Sequence, residues 1–135
     1  MTRPRIEPVN SAPEKVRAEL LLGALEGALP LTAVDSSVTQ QNRSASVTEV
    51  QEEILQTIRS LVSDGLFELG DLSGEGGSLV AWSGSLDESI QRISDVYVAK
   101  YDDPPAWVWF VWTELTDKGE RLARALEESA RDPLK

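Results

Sequence analysis

One segment near the middle of the chain constrains the fold more than any other. Apolar residues recur at three- and four-residue spacing through residues 47–62, with acidic and polar residues between them, which predicts an amphipathic helix. Asp64-Gly65 then ends the helix, because glycine can adopt the left-handed conformation of a helix cap. Residues 66–69 alternate in polarity as a short strand does. The segment predicts a helix that leads directly into a sheet, as in an α+β domain.

The residues before this segment predict two helices of unequal strength. Apolar residues in 12–29 repeat with helical spacing, and Pro30 is expected to end this first helix because proline cannot continue one. Residues 31–46 are rich in Ser, Thr, Gln and Asn, so that any helix there is short and weakly specified. The amino-terminal part is therefore predicted to be helical.

The residues after the strand predict a loop and a further helix. Residues 70–85 contain five glycines and four serines, a composition typical of a flexible loop. Ser85 and Glu88 match a capping box, which places the start of a helix between them. About four helical turns are predicted to follow, with apolar residues at Leu86, Ile90, Ile93, Tyr97 and Tyr101.

Tryptophan is concentrated in residues 107–112, which read Trp-Val-Trp-Phe-Val-Trp. The run predicts a strand that is apolar on both faces, as expected of a strand covered on both sides. Its tryptophans form either part of the core or an exposed docking row, since tryptophan is enriched at interface hot spots. We favour the core, with the helix at 85–101 covering the second face.

The end of the chain predicts a last helix. Thr116 is expected to cap it, because a threonine side chain can accept a hydrogen bond from a free amide of the first turn. The apolar side of this helix is predicted to be Leu122, Ala125 and Leu126.

The order of these elements resembles the winged helix-turn-helix domains of the MarR and PadR regulators. Two segments carry the resemblance: residues 57–69, with an Asp-Gly-Leu turn between helix and strand, and residues 110–122, with Leu-Thr-Asp-Lys-Gly. The resemblance implies an α+β, winged-helix-like domain with a three-helix core, a short antiparallel sheet and a carboxy-terminal helix. In those families the helix before the turn recognises DNA, and the strands that follow form the wing.

The chain length fits one domain. A domain of 135 residues can bury roughly two thirds of its unfolded surface, which is enough for an ordinary core. We predict a single winged-helix-like domain at 14–130, between an extended tail at 1–13 and a short tail at 131–135. The wing is predicted to be expanded by an insertion at 70–106 that carries its own helix.

The acidic excess of the chain lies in the part that would touch DNA. The net charge is −10, from 13 basic and 23 acidic residues. Residues 44–114 hold three basic residues (Arg59, Arg92 and Lys100) against thirteen acidic ones, whereas the flanking segments are each neutral. Non-specific DNA affinity comes largely from Lys and Arg that neutralise phosphates. The charge pattern favours either a solvated acidic surface or association with a basic protein.

We therefore predict a protein-binding module, and an immunity protein or antitoxin that neutralises a basic toxin is its most concrete form. The residues expected to bind the partner are acidic: Glu49, Glu52, Glu53, Asp87, Glu88, Asp102 and Asp103. The alternative is a DNA-binding transcriptional regulator of MarR or PadR type. Such a regulator would contact DNA through Thr48, Gln51, Gln56 and Arg59, assisted by Arg3 and Arg5 of the tail.

The composition does not indicate an enzyme. The chain has no histidine and no cysteine, which removes the commonest general base, a thiol nucleophile and the usual zinc ligands. No cofactor or metal site is predicted, because neighbouring acidic residues on a helix point in different directions. No segment has the pattern of a signal peptide or a membrane span, so we expect a bacterial cytoplasmic protein. The resemblance also implies a possible homodimer, because domains of this type often dimerise through the first and last helices.

Overall fold

The computed structural model describes residues 12–73 and 75–131, so that the predicted tails lie largely outside the described residues, as do Arg3 and Arg5. The fold is α+β, as predicted, with six α-helices and one antiparallel sheet of four strands in this part of the chain. None of the helices in the described ranges combines the length and apolar character that crossing a bilayer requires.

The chain begins with three helices, and an edge strand lies between the first two. The other strands follow, two of them separated by a long insertion, and a final helix comes last. The helices are α1 (Ala12–Gly23), α2 (Leu31–Gln41), α3 (Val47–Ser63), α4 (Leu86–Tyr97), α5 (Pro104–Trp107) and α6 (Asp117–Arg131). The strands are β1 (Leu29–Pro30), β2 (Phe67–Asp71), β3 (Val80–Ala81) and β4 (Trp112–Leu115). The chain between β2 and β4 therefore holds β3, α4 and α5.

The sheet has the strand order β1-β4-β2-β3. Strand β4 is central and pairs with β1 on one side and β2 on the other, so that the two ends of the insertion meet in the sheet. Phe67, Leu69 and Thr113 are buried on one face, with Leu69 directly opposite Thr113. Successive side chains of a strand point to opposite faces, so this face closes the core and the other faces outward.

The core below the sheet consists mainly of aliphatic side chains from the first three helices. Nine of these are almost completely buried: Val16, Leu20, Leu21, Leu31, Val34, Val38, Ile54, Ile58 and Leu61. Helix α1 packs against α2, α3 and α6, which makes the amino-terminal helices one layer over the sheet. Burial of these side chains supplies most of the driving force for folding.

The first helix is shorter than the predicted 12–29. Helix α1 ends at Gly23, and a single 3₁₀ turn at Ala24–Glu26 leads to β1. Leu29 pairs with Thr113 of β4, whose hydroxyl donates a hydrogen bond of 3.2 Å to the Leu29 carbonyl. Pro30 therefore belongs to an edge strand, where the missing amide hydrogen is tolerated, and does not itself end the helix.

Helix α2 is longer and better defined than the weak helix predicted for 31–46. It spans eleven residues, with Leu31, Val34 and Val38 completely buried. Its polar residues have partners on other elements: the Ser37 hydroxyl donates a hydrogen bond of 2.5 Å to Glu19 of α1. The sequence underestimated this helix because the partners that satisfy its polar side chains are distant along the chain.

Helix α3 confirms the strongest sequence prediction. Ser46 caps it through a capping box with Glu49, and its apolar residues form one buried face. Gly65 has φ of 77°, the left-handed conformation expected after the helix end. The amide of Leu66 then donates to the carbonyl of Leu61 at 2.9 Å, which turns the chain into β2.

The predicted strand at 107–112 is wrong. Pro104 and Pro105 begin the short helix α5, since proline is tolerated at the first positions of a helix. The indole of Trp107 donates a hydrogen bond of 3.0 Å to the carbonyl of Tyr101 and holds this turn. Strand β4 begins only at Trp112. A short apolar run fits a buried turn as well as a strand, and periodicity alone cannot distinguish them.

Helix α4 also differs from its prediction. It begins after Ser85 with the expected capping box but ends at Tyr97, one turn before Tyr101. It packs against α3 and α5, not on the second face of a tryptophan-rich strand. The loop predicted at 70–85 likewise contains part of β2 and the short strand β3, in addition to turns.

Thr116 caps the last helix, as predicted. Its hydroxyl oxygen accepts a hydrogen bond of 3.0 Å from the amide of Gly119 and donates one of 2.5 Å to the carbonyl of Gly65. The cap therefore also joins α6 to the turn after α3. Its position depends on a residue 51 places earlier in the chain.

The rotation of α6 about its axis differs from the prediction. Gly119 lies so close to the Leu66 carbonyl oxygen that a Cβ atom at this position would collide with it. This approach turns Ala123 into the core, where it is completely buried, and leaves Leu126 half-buried. Two of the three residues predicted to form the apolar side are exposed: Leu122 and Ala125.

Candidate functional site

An open groove of about 560 Å³ lies along α3 beside α4. We call it the α3 groove. Its lining is mostly acidic or polar, with two apolar side chains: Glu49, Glu52, Glu53, Leu55, Gln56, Arg59 and Ile90. Three of the seven acidic residues predicted to bind a partner are therefore brought together here by the fold.

Helical spacing places the carboxylates of the α3 groove along one side of α3. Residues three and four apart are neighbours on a helix surface, so Glu49, Glu52 and Glu53 follow one another along the groove. Glu49 and Glu52 are exposed and Glu53 is half-buried. Like charges at this spacing repel one another weakly, so the surface is arranged to attract cations at a small cost in stability.

Glu49 has a second role at the start of α3. Its carboxylate accepts a hydrogen bond of 2.8 Å from the amide of Ser46, and its own amide donates to the Ser46 hydroxyl at 3.2 Å. A negative charge in the first turn is also stabilised by the helix dipole. The outermost carboxylate of the groove is thus held in a fixed position by the capping box.

Helix α4 forms one wall of the α3 groove, and its residue Asp87 is paired with Arg59 of α3. The Arg59 guanidinium donates to the Asp87 carboxylate at 2.5 Å, across the boundary between the two helices. The side chains are 40% and 82% exposed, and exposed ion pairs contribute at most about 1 kcal/mol to stability. The pair has a larger effect on the surface charge than on stability. With Asp87 beside it, Arg59 is no longer a separate binding group for an anion.

The remaining predicted acidic residues lie elsewhere. Glu88 forms the capping box of α4 with Ser85, whose amide donates to it at 2.8 Å. Asp102 and Asp103 are exposed in the turn between α4 and α5. None of these three lines the α3 groove, so the seven predicted residues do not form a single site.

The residues predicted for DNA contact have different environments. Gln51 is only 8% exposed and faces the core of the domain, so its proposed contact with DNA is wrong. Thr48 and Gln56 are exposed on α3, whereas Arg59 is engaged by Asp87. Gln51 was misassigned because its polarity suggested solvent, although it lies on the same side of α3 as Ile58.

A second cation of the acidic region is also engaged within the fold. The Arg92 guanidinium of α4 lies 4.0 Å from the centre of the Trp82 ring, a cation–π contact. The Trp82 indole in turn donates a hydrogen bond of 3.1 Å to Asp71 at the end of β2. Sequence reasoning missed this contact because its members are separated by a turn and a helix start.

Tyr97 anchors α4 to the body of the domain. Its hydroxyl donates a hydrogen bond of 2.6 Å to the Asp35 carboxylate of α2, and the side chain is completely buried. Burial and, to a smaller extent, the Asp35 carboxylate raise the pKa of the Tyr97 hydroxyl well above its ordinary value. Its ring also packs edge-on against Trp107, at 4.8 Å between centres.

The tryptophans of 107–112 differ in burial: Trp107 belongs to the core, and Trp109 is exposed. Trp107 is 5% exposed and stacks on Tyr101, with ring planes 8° apart. Trp109 is 60% exposed and stacks on the half-buried Trp112 at 5.6 Å. The expectation of a core holds for the first tryptophan and fails for Trp109.

Comparison of the chain with known protein families, with curated proteins and with solved structures gave no match in any of the three. The candidate site is therefore defined by geometry and charge alone. Within the described residues, no group of three acidic side chains is arranged to hold a metal ion.

Proposed function

We propose that this chain is a protein-binding module on a winged-helix-type scaffold, and that the α3 groove binds a basic protein. An immunity protein or antitoxin that neutralises a basic toxin is the specific form of this proposal. The carboxylates of Glu49, Glu52 and Glu53 would contact Lys and Arg side chains of the partner. The half-buried Leu55 would supply apolar contact beside the charges.

The observation that carries the proposal is the engagement of cations around an acidic groove. Of the three basic residues in 44–114, Arg59 is paired with Asp87 and Arg92 lies over Trp82. An acidic surface with few available cations accelerates association with a positively charged partner and disfavours nucleic acid.

The topology supports the choice of scaffold. The order α1-β1-α2-α3-β2-β4-α6, with β4 between β1 and β2, is the arrangement that a winged helix would have once the insertion is set aside. In that comparison α3 takes the position of the recognition helix, and α4 of the insertion packs against it. Because the insertion packs against α3, this helix is less accessible to a groove of DNA, which favours a protein partner.

The second candidate is a DNA-binding regulator of MarR or PadR type. The exposure of Thr48 and Gln56 on α3 favours it, because polar side chains on such a helix can hydrogen-bond to base edges. DNA binding normally requires a cationic surface, whereas the one basic residue that lines the α3 groove among the described residues, Arg59, is paired with Asp87.

Affinity capture from the native host tests the proposal. The tagged chain is compared with the variant Glu49→Gln, Glu52→Gln, Glu53→Gln, in which glutamine at 49 can still complete the capping box. A matched control neutralises three exposed acids elsewhere: Glu14, Glu26 and Glu128. We expect a basic protein, identified by mass spectrometry, to be retained by the wild type and the control and lost by the α3 variant.

Two outcomes would count against this function. Equal capture by the α3 variant would reject the groove as the binding surface. A salt-dependent mobility shift with the DNA upstream of the gene for this chain would favour the DNA-binding regulator. If no shift occurs even at low salt, the regulator is excluded.

A further inference from the structure

The outward face of the sheet carries two carboxylates directly opposite each other. Glu68 of β2 is the register partner of Glu114 of β4, on the face away from the buried Phe67, Leu69 and Thr113. Opposite residues of an antiparallel pair have Cβ atoms about 5 Å apart, and like charges there destabilise the sheet. Neither carboxylate has a hydrogen bond or ion pair with a basic side chain in the part of the chain that the structure describes.

Two stacked tryptophans lie beside these carboxylates. Trp112 is two residues before Glu114, so both side chains emerge on the same face, with Cα atoms about 7 Å apart. The register partners of Trp112 are Pro30 and Gly70, neither of which has a long side chain to cover the ring. Trp109 stacks on Trp112 with ring planes 18° apart and is 60% exposed.

We propose that this surface binds an arginine side chain of a protein partner, and we call it the outer sheet face, formed by Glu68, Trp109, Trp112 and Glu114. The guanidinium would stack on the exposed indole of Trp109 and pair with the two carboxylates.

Arginine fits this arrangement better than other groups. A guanidinium is planar, stacks on aromatic rings and donates several hydrogen bonds to carboxylates, whereas a lysine ammonium is a compact and strongly hydrated charge. The chain already makes the same contact internally, between Arg92 and the ring of Trp82 at 4.0 Å. Nucleic-acid bases could stack on tryptophan, but their phosphates would be repelled by the carboxylates of Glu68 and Glu114.

This inference goes beyond the proposed function, since it concerns a different surface with different residues. The outer sheet face belongs to β2, β4 and the turn before β4, and it shares no lining residue with the α3 groove. The two surfaces can therefore be tested by separate variants.

Titration with a blocked tri-arginine peptide at physiological salt tests the proposal, followed by NMR of the four tryptophan indole N–H signals. We expect the signals of Trp109 and Trp112 to move with added peptide and that of the buried Trp107 to stay. A blocked tri-citrulline peptide, which lacks the charge, should move none of them. Trp109→Ala should weaken binding about two- to fivefold, the range of an exposed cation–π contact.

The carboxylates are tested by the double variant Glu68→Gln, Glu114→Gln, which should weaken peptide binding by about two- to fivefold for each charge removed. The matched control is Glu49→Gln, Glu52→Gln, which removes two charges from the α3 groove and should leave the movement of the Trp109 signal unchanged. Equal weakening by both double variants would reduce the effect to general electrostatic attraction and overturn the proposal. Indole signals that stay fixed in the wild type, or that respond equally to tri-citrulline, would also overturn it.

Discussion

The body of the domain and the insertion between β2 and β4 are stabilised in different ways. The body, formed by α1, α2, α3 and α6 with the central strands, is closed by aliphatic side chains such as Leu31, Ile54 and Leu61. The insertion, with α4 and α5, contributes Ile90 and Ile93 to the same core but is held largely by aromatic rings whose polar atoms have specific acceptors. The first kind of packing is non-directional, whereas the second fixes an orientation.

The directional contacts of the insertion determine how the acidic groove forms beside α3. Aliphatic burial stabilises the body but does not specify where an added helix will lie. The hydrogen bond from Tyr97 to Asp35 orients α4 relative to α2, and the ring contact between Tyr97 and Trp107 orients α4 relative to α5. The geometry of the α3 groove thus depends on a few directional contacts.

The largest effect is expected for Ile54→Ala in the body. Ile54 is completely buried, so truncation removes buried methyl groups and leaves a cavity, at a cost of about 2 to 5 kcal/mol. Urea unfolding followed by far-ultraviolet and tryptophan signals measures this cost. Both signals should shift together, because the body supports the insertion, and Ile54→Val should cost only about 0.5 to 1.5 kcal/mol. If the insertion unfolded at a lower urea concentration than the body, the body would not be what supports the insertion.

A smaller and more local effect is expected for Tyr97→Phe. The variant removes the hydrogen bond to Asp35, and bonds to a charged acceptor contribute about 1.5 to 3 kcal/mol. Amide hydrogen exchange should accelerate in α4 more than in α1. Tyr101→Phe is the matched control, since the Tyr101 hydroxyl has no hydrogen-bond partner in residues 12–73 and 75–131. Equal acceleration in α1 and α4 would show that the insertion is not a separately held unit.

The contribution of Tyr97 should also depend on pH. Burial and Asp35 raise the pKa of Tyr97 in the folded state, so above a pH of about 10 the unfolded chain loses this proton and the folded chain keeps it. The stability advantage of wild type over Tyr97→Phe is therefore complete below pH 10. It should shrink by up to about 1.4 kcal/mol for each pH unit above that value. Urea unfolding at pH 8, 10 and 11 measures it, and a constant difference would contradict the assignment.

The smallest effect is expected for Asp87→Asn. This change breaks the exposed ion pair with Arg59, and we expect a loss of at most about 1 kcal/mol in the free energy of unfolding. Exchange of the α4 amides should remain close to that of the wild type. A loss as large as that of Tyr97→Phe would mean that the ion pair, and not the buried tyrosine, positions α4.

The parts of the fold that were predictable depend on contacts close together in the sequence. The α3 helix followed from its apolar spacing, and the Ser85 capping box and the Thr116 cap each involve residues three apart. The acidic side chains of α3 were predictable for the same reason, because helical spacing alone places them near one another.

The errors arose where distant residues decided the structure. Helix α2 was underestimated because Glu19 and Tyr97 satisfy its polar residues from elsewhere in the chain. A strand was predicted at 107–112, but Trp107 ends a short helix. Its indole donates a hydrogen bond to the carbonyl of Tyr101, which holds this turn. Gln51 appeared available to DNA because polarity does not reveal which side of a helix faces the core.

Three properties could be read from the amino-acid sequence: the chain is α+β, α3 is amphipathic, and the acidic excess lies in residues 44–114. These properties follow from composition and local periodicity. The folded chain was needed to see that Arg59 is paired with Asp87, that Trp109 is exposed while Trp107 is buried, and that Glu68 faces Glu114. Each of these depends on helix rotation or strand register, which are set by long-range packing and not by neighbouring residues.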